Sequence, residues 1–162
     1  MPVTLIVNNI PYEYPIPGDS PGWGQGATGW AEEVTAVLTD LLGPNDIPET
    51  TFSIGNAVGT ATSINGLVFN TGQVRAAFIN YTVYRTSTSN PSGFSEAGEL
   101  ILVYDNLASA GNKWSITQGP VNGNSGIIFS VTDSGQVQYT SSDIGTLGYS
   151  AVIHFAAQTL GQ

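Results

Sequence analysis

From Thr51 onward, the chain consists of short segments rich in Val, Ile, Phe, Tyr and Thr, separated by Gly, Asn, Ser and Pro. β-branched and aromatic residues favour strands, whereas the separating residues favour turns. Many short strands with closely spaced turns are typical of antiparallel sandwiches and jelly rolls. We therefore predict a mainly β protein with an antiparallel, jelly-roll-like β-sandwich body over residues 49–162. The predicted strands cover residues 51–54, 66–69, 74–85, 99–104, 113–118, 126–132, 136–140 and 149–158.

The first 48 residues have a different pattern, which predicts a hairpin, a loop and one helix. Two apolar segments flank Asn8 and Asn9, and Asn tolerates the positive φ of a tight turn, so residues 3–14 are expected to form a β-hairpin. A Pro- and Gly-rich loop follows. A helix is predicted over residues 29–42, capped by Thr28 and ended by Gly43 and Pro44. We expect this element to pack on the body as one compact domain.

One sequence detail predicts a specific turn. Asp133-Ser134-Gly135 separates two predicted strands, and a three-residue hairpin loop of this kind places Gly in the left-handed region.

The charge balance excludes several partners. The 162 residues include 12 acidic and 3 basic side chains, for a net charge of −9. Binding to nucleic-acid phosphates or to an anionic membrane requires clustered Lys and Arg, which this sequence lacks. Charged residues make up 9% of the chain, and low-charge β-proteins of this kind are common in secreted proteins and particle coats. We therefore expect neither nucleic acid nor membrane as a partner.

Two absences guide the expected location. The chain has no cysteine, which excludes disulfides and thiolate metal sites. Its first residues lack the basic and apolar regions of a secretory signal. If the protein acts outside a cell, we expect it to leave by another route, such as release of an assembled particle by lysis.

Few side chains in the sequence are candidates for catalysis. His154 is the only histidine, so a His-based metal site is excluded, and its phase relative to Ile153 and Phe155 predicts that it faces outward. A Ser-His-Asp triad stays open by residue count, but no G-x-S-x-G motif is present. Glu96 and Glu99 could act as paired carboxylates. They follow the polar stretch 87–95, which is expected to be a surface loop, so the alternative is a solvated loop end. Glu32 and Glu33 also form a carboxylate pair, but their place at the helix start is explained by the helix dipole. We expect no enzyme activity, no cofactor and no metal.

Two predicted strands are apolar on both faces. Within residues 75–85 and 99–104, neither alternating set of side chains is clearly polar. Burial of both faces requires either a central position in a layered domain or a neighbouring subunit. The sequence leaves these two alternatives open.

Aromatic residues are concentrated in the first third of the chain. Tyr12, Tyr14, Trp23 and Trp30 lie there together with Asn8, Asn9 and Asp19. Aromatic rings beside Asn and Asp side chains are typical of sugar-binding surfaces. The alternative is that the two tryptophans pack the irregular loop against the helix and the body.

The start of the chain resembles the N-terminal segment of small structural proteins of tailed-bacteriophage virions, of the head-decoration and fibre-tip types. The similarity lies in the hairpin "VNNIPYEYP", the loop "PGWG" and the helix "WAEEVTAVLTDLLGP". The later segments "VRAAFINYTVYRTS", "EAGELILVYD" and "GIIFSVTDSGQVQYTSS" are similar to the β-rich body of such proteins. The resemblance implies a homotrimer on the outer surface of a virion and supplies no catalytic residues.

Within this family, we expect a capsid decoration, or cement, protein. A trimer would present three equivalent contacts to the major capsid protein, so that modest interfaces combine into tight attachment and stabilise the head shell. Residues 3–30, with Tyr12, Tyr14, Trp23 and Trp30, are the candidates for the shell or subunit contact. The alternative is a tail-fibre tip or neck-appendage protein that binds host-surface glycans.

Overall fold

The computed structural model describes residues 3–7, 10–14, 29–36 and 45–161. The chain divides into two compact units, Met1–Pro44 and Asn45–Gln162.

The first unit contains a hairpin and a helix. β1 (Val3–Val7) pairs antiparallel with β2 (Ile10–Tyr14), which confirms the predicted hairpin. Helix α1 is described at residues 29–36, where the Thr35 hydroxyl donates to the Ala31 carbonyl one turn earlier. The rest of the predicted helix and its Thr28 cap lie outside the described residues.

The second unit is built from eight strands. They are β3 (Ile47–Ser53), β4 (Thr62–Val68), β5 (Val74–Ser87), β6 (Asn90–Tyr104), β7 (Trp114–Gly123), β8 (Ile127–Val131), β9 (Gln136–Ser141) and β10 (Ser150–Gly161). Each predicted strand corresponds to one of them. The largest difference in bounds is at β6, which begins at Asn90 instead of the predicted residue 99.

The strands form two antiparallel sheets, and the mainly β, sandwich-like body is confirmed. The five-stranded sheet has the order β3-β10-β5-β6-β7, and the three-stranded sheet has the order β4-β9-β8. β10, which comes last in sequence, therefore lies between β3 and β5.

The core lies between the two sheets. Buried apolar side chains from the five-stranded sheet, such as Ile79 and Leu102, belong to the same cluster as Leu67 and Val137 from the three-stranded sheet. The Tyr81 and Phe129 rings join β5 to β8 with their centroids 4.9 Å apart. This contact fixes the spacing of the two layers by direct packing.

The two faces of β5 differ in burial within the single chain. Ala77, Ile79, Tyr81 and Val83 are buried and form the inner face. On the other face, Asn80 and Thr82 are exposed, and Tyr84 is 50% exposed. The outer face of this sheet is therefore accessible along much of β5 in the single chain.

Of two connections predicted from the sequence, one is confirmed and the other is wrong. Gly135 has a φ of 82° between β8 and β9, which confirms the left-handed glycine. The expected surface loop at residues 87–95 is wrong, because β5 and β6 continue toward a tight turn and pair as far as Ser87 and Asn90. The polar residues there are the outer ends of two long strands.

Candidate functional site

The structure describes the four aromatic candidates unevenly. Tyr12 and Tyr14 lie in β2, opposite Leu5 and Val3, but only the backbone of this strand is described. Trp23 lies outside the described residues. Trp30 is half-buried in α1. The proposed shell or subunit contact by these residues stays a prediction.

A shallow groove on the outer face of the five-stranded sheet is a candidate site within the described body. It has a volume of about 640 Å³ and runs over the middle of β10, β5 and β6. A second depression continues it toward Tyr84 and shares three lining residues, Thr82, Ala97 and His154.

The strand register arranges the centre of the groove in rows. Thr82 pairs with His154 on β10 and with Ala97 on β6. The next row contains Asn80, which pairs with Ala156 and with Glu99. Side chains directly opposite on neighbouring strands have Cβ atoms about 5 Å apart, so each row combines polar groups with a small alanine.

His154 is exposed on β10, as predicted, between the buried Ile153 and Phe155. Its Nδ1 lies 3.1 Å from the Thr51 hydroxyl on β3. This hydrogen bond orients the ring at the edge of the groove, where Nε2 is the second ring nitrogen able to bind a ligand.

Two carboxylates line the groove. Glu49 is exposed on β3 and Glu99 is half-buried on β6. Gly119 on β7 gives the Glu99 side chain room, because a Cβ atom there would lie 3.2 Å from Glu99 Oε2. The groove therefore has acidic groups from two strands on its two sides.

An aromatic ring lies at the end of the groove. A Cβ atom on Gly93 would lie 2.9 Å from Tyr84 Cε2, so the Tyr84 ring packs against the β6 backbone where a side chain is missing. Gly93 also has a φ of 73°, which favours glycine. Tyr84 is thus held in place while half of it stays accessible.

Glu96 lies beneath the groove, inside the sandwich. It is 6% exposed, so the expected solvated loop end is wrong. Oε1 accepts from the Tyr81 hydroxyl and from Gln118 Nε2, and Oε2 accepts from the Ser125 backbone N–H and hydroxyl. Four donors stabilise this carboxylate in the low-dielectric interior.

The same network acts on Tyr81. Burial, together with the hydrogen bond to the Glu96 carboxylate, raises the pKa of Tyr81 well above its usual value of 10.0. Tyr81 therefore stays a neutral donor.

Glu96 and Glu99 do not form a carboxylate pair. They are three positions apart in β6, so one faces the interior and the other faces the groove. The Glu96 carboxylate already accepts hydrogen bonds from four donors. Glu32 and Glu33 lie in the described part of α1, and their explanation by the helix dipole stays a prediction.

Arg85 organises the end of the body beyond Tyr84. It is 0% exposed. Nη1 donates to the Ser125 carbonyl and Nη2 to the Ser142 carbonyl, each at 2.6 Å. Nη2 also donates to Asn56 Oδ1. The guanidinium thereby joins three loops to β5, which is a structural role.

In the described part of the chain, no group of three or more acidic or histidine side chains is arranged to hold a metal ion. Among the same residues, no helical segment is both long and apolar enough to cross a membrane.

The sequence reasoning missed the groove residues Asn80, Thr82 and Tyr84. The sequence pattern could have indicated them, because these residues alternate with the apolar Ile79, Tyr81 and Val83. Two of the three, Asn80 and Thr82, are polar, which indicates the solvent-facing side of the strand.

Comparison with known proteins gives limited similarity. No family model matches the chain, and no curated protein matches it. Among solved structures, the chain is similar to the crystal structure of the Acinetobacter phage vB_ApiP_P1 tailspike protein, with 16% identity and a TM-score of 0.38. The similarity covers 70% of this chain and 22% of the tailspike chain. A TM-score in this range does not show a common fold, so the similarity assigns no function to the chain.

Proposed function

We propose that the chain is a non-enzymatic structural protein of a bacteriophage virion, exposed on the particle surface. The sequence resemblance of the hairpin, loop, helix and strand segments supports this assignment. The net charge of −9 supports it further, because an acidic surface repels nucleic acid and keeps copies soluble.

Within the virion, the proposed role is a trimeric capsid decoration protein that binds the major capsid protein. The observation that carries this proposal is an apolar patch at one end of the outer sheet face. Leu160, Ala76 and Val103 form one row across β10, β5 and β6. Leu160 is 58% and Val103 45% exposed. Exposed apolar side chains on adjacent strands of an acidic protein favour contact with a subunit or a shell.

Light scattering and capsid binding test this role. The wild-type protein is expected to be a trimer that coats undecorated capsids. The double variant Val103→Asp/Leu160→Asp should lose trimerisation or shell binding while keeping its melting temperature, because neither side chain belongs to the buried core. Leu147→Asp is the matched control, since Leu147 is 73% exposed and its carbonyl accepts from the Thr88 backbone N–H, at the opposite end of β5 from Ala76. A wild-type monomer that ignores shells would contradict the proposal.

The N-terminal element can be tested separately. Deletion of residues 1–20 is expected to abolish shell binding or trimerisation while the β-body stays folded. Retention of both properties would remove residues 3–30 from the proposed contact.

The second candidate function is a tail-fibre tip or neck-appendage protein that binds host-surface glycans. The groove on the outer sheet face favours it, because exposed amide, hydroxyl and imidazole groups lie beside an accessible aromatic ring. Glycan retention by immobilised protein, lost in Tyr12→Ala or Trp23→Ala without a change in melting temperature, would assign binding to the N-terminal element. Loss in groove variants would assign it to the β-body.

A further inference from the structure

We propose that the groove on the outer face of the five-stranded sheet binds an uncharged oligosaccharide that lies along β5. The inference rests on the second candidate function, glycan binding, and adds the site and the class of sugar. Four properties of the groove support it: its hydrogen-bonding groups, the small residues at its base, the tyrosine ring at its end and its charge.

The hydrogen-bonding groups match the hydroxyls of a sugar, which both donate and accept. Asn80 supplies an amide that does both, and Thr82 supplies a hydroxyl. His154 and Glu99 add an imidazole and a carboxylate from the strands on either side. Asn80 and Thr82 are exposed and lie on one strand, which presents these groups in line.

The floor of the groove lets a ring approach the sheet. Ala156 lies opposite Asn80 on β10, and Ala97 lies opposite Thr82 on β6. These small residues leave space above the sheet between the polar side chains.

Tyr84 supplies a surface on which a sugar ring can stack. It lies four residues beyond Asn80 on the same strand, a distance of about 14 Å at the rise of an antiparallel strand. Its packing against Gly93 fixes the ring before a ligand arrives, which lowers the entropy cost of binding. The spacing suits a short chain of sugars rather than a single one.

The charge of the groove selects against acidic sugars. Glu49 and Glu99 line it, and its lining residues, all within the described body, include neither Lys nor Arg. Arg85 lies on the inner side of β5 with its guanidinium bound to loop carbonyls. A sialylated, sulfated or uronic-acid sugar would bring a negative charge beside two carboxylates without a compensating cation.

The Glu96 network holds the groove in shape. It joins β5, β6 and β7 from below through Tyr81, Glu96 and Gln118. A rigid sheet surface keeps the binding groups at fixed spacing, as binding sites on strands require.

Titration calorimetry of the full chain tests the inference. The probes are neutral tetrasaccharides of glucose, galactose, mannose and N-acetylglucosamine, together with sialylated oligosaccharides and hyaluronan and heparin fragments. At least one neutral probe is expected to bind, and Tyr84→Ala or Asn80→Ala should weaken it about tenfold or more. Tyr84→Phe should retain binding, because it keeps the ring. Ile128→Ser is the control, since Ile128 is 71% exposed on the three-stranded sheet.

The contrary outcomes are distinguishable. Equal or tighter binding of acidic probes, sensitive to Tyr84→Ala, would overturn the charge selection and leave glycan binding intact. Neutral binding that Tyr84→Ala, Asn80→Ala and Thr82→Ala all leave unchanged would overturn the groove as the site. Absence of binding to every probe at millimolar concentration would overturn this inference and the second candidate function, while capsid decoration would stand.

Discussion

The Tyr81 hydroxyl donates a 2.6 Å hydrogen bond to the Glu96 carboxylate inside the sandwich. It also accepts a 2.7 Å hydrogen bond from Gln118 Nε2, so one hydroxyl links β5, β6 and β7. The buried carboxylate is thus part of a connected polar network within an otherwise apolar layer. Networks of this kind are costly to break, because a buried group that loses its partner keeps the full cost of its desolvation.

Glu96→Gln is expected to lower the free energy of unfolding by about 2–4 kcal/mol, because an amide cannot accept from all four donors. Glu99→Gln is the matched control on the groove face of the same strand and should change it by about 0.5 kcal/mol or less. Urea denaturation of both variants measures the difference. Equal stability of the two variants would contradict the structural role of Glu96.

Arg85→Lys is expected to destabilise the body by about 2–4 kcal/mol, because an ammonium group cannot reproduce the fork that reaches the Ser125 and Ser142 carbonyls. Hydrogen exchange should accelerate in the loops around these two residues. Arg75→Lys is the control, since Arg75 is exposed. Unchanged protection in the Arg85 variant would show that the loops do not depend on the guanidinium.

Gly135→Ala should be far more destabilising than Gly111→Ala. Both glycines have positive φ, 82° and 88°, so both variants incur a backbone cost of about 1 kcal/mol. A Cβ atom at Gly135 would also lie 2.2 Å from the Phe69 carbonyl oxygen, whereas nothing lies within 4 Å of one at Gly111. Thermal unfolding of the two variants separates steric overlap from backbone strain. Similar melting temperatures would contradict a steric role for the Phe69 carbonyl.

The Asp133 carboxylate should make stability depend on pH in the acid range. Hydrogen bonds from the Gly111 and Lys113 backbone N–H groups lower the pKa of Asp133 from its usual value of 3.8. The folded state therefore binds the proton less tightly than the unfolded state, and the stabilisation is present above pH 3.8 and lost as pH falls through the folded value.

Asp133→Asn should accordingly be less stable than wild type at pH 6, with the difference shrinking toward pH 2. Ser134→Ala, in the same loop, should show a difference that does not vary with pH. Denaturation of the three proteins between pH 2 and pH 6 provides the comparison. A constant gap between Asp133→Asn and wild type would exclude the carboxylate as the titrating group.

The alternation of inward-facing and outward-facing residues along single strands predicts much of the fold from the sequence. It places Ile153 and Phe155 inside and His154 outside, and the structure agrees. Turn chemistry likewise identifies Gly135. These features are local, so each follows from a few neighbouring residues.

The features that sequence reasoning missed depend on distant partners. Glu96 is polar and follows a polar stretch, yet it shares the inward phase of Leu100 and Leu102 and is buried. Its donors come from β5, β7 and Ser125, and the sequence does not reveal that they converge. The groove likewise depends on the register of β10, β5 and β6, since its rows combine residues far apart in the chain.

The central position of β10 has a consequence for synthesis. β3 pairs with β10, and the Thr51 and His154 side chains that meet across them are 103 residues apart in sequence. At about 5–20 residues per second, a ribosome needs on the order of 5–20 s to add the missing strand. During that interval β3 and β5 have no partner on the side that β10 will occupy. The nascent chain is therefore vulnerable to association with other chains until β10 has been synthesised, and chaperone binding in that window would benefit its yield.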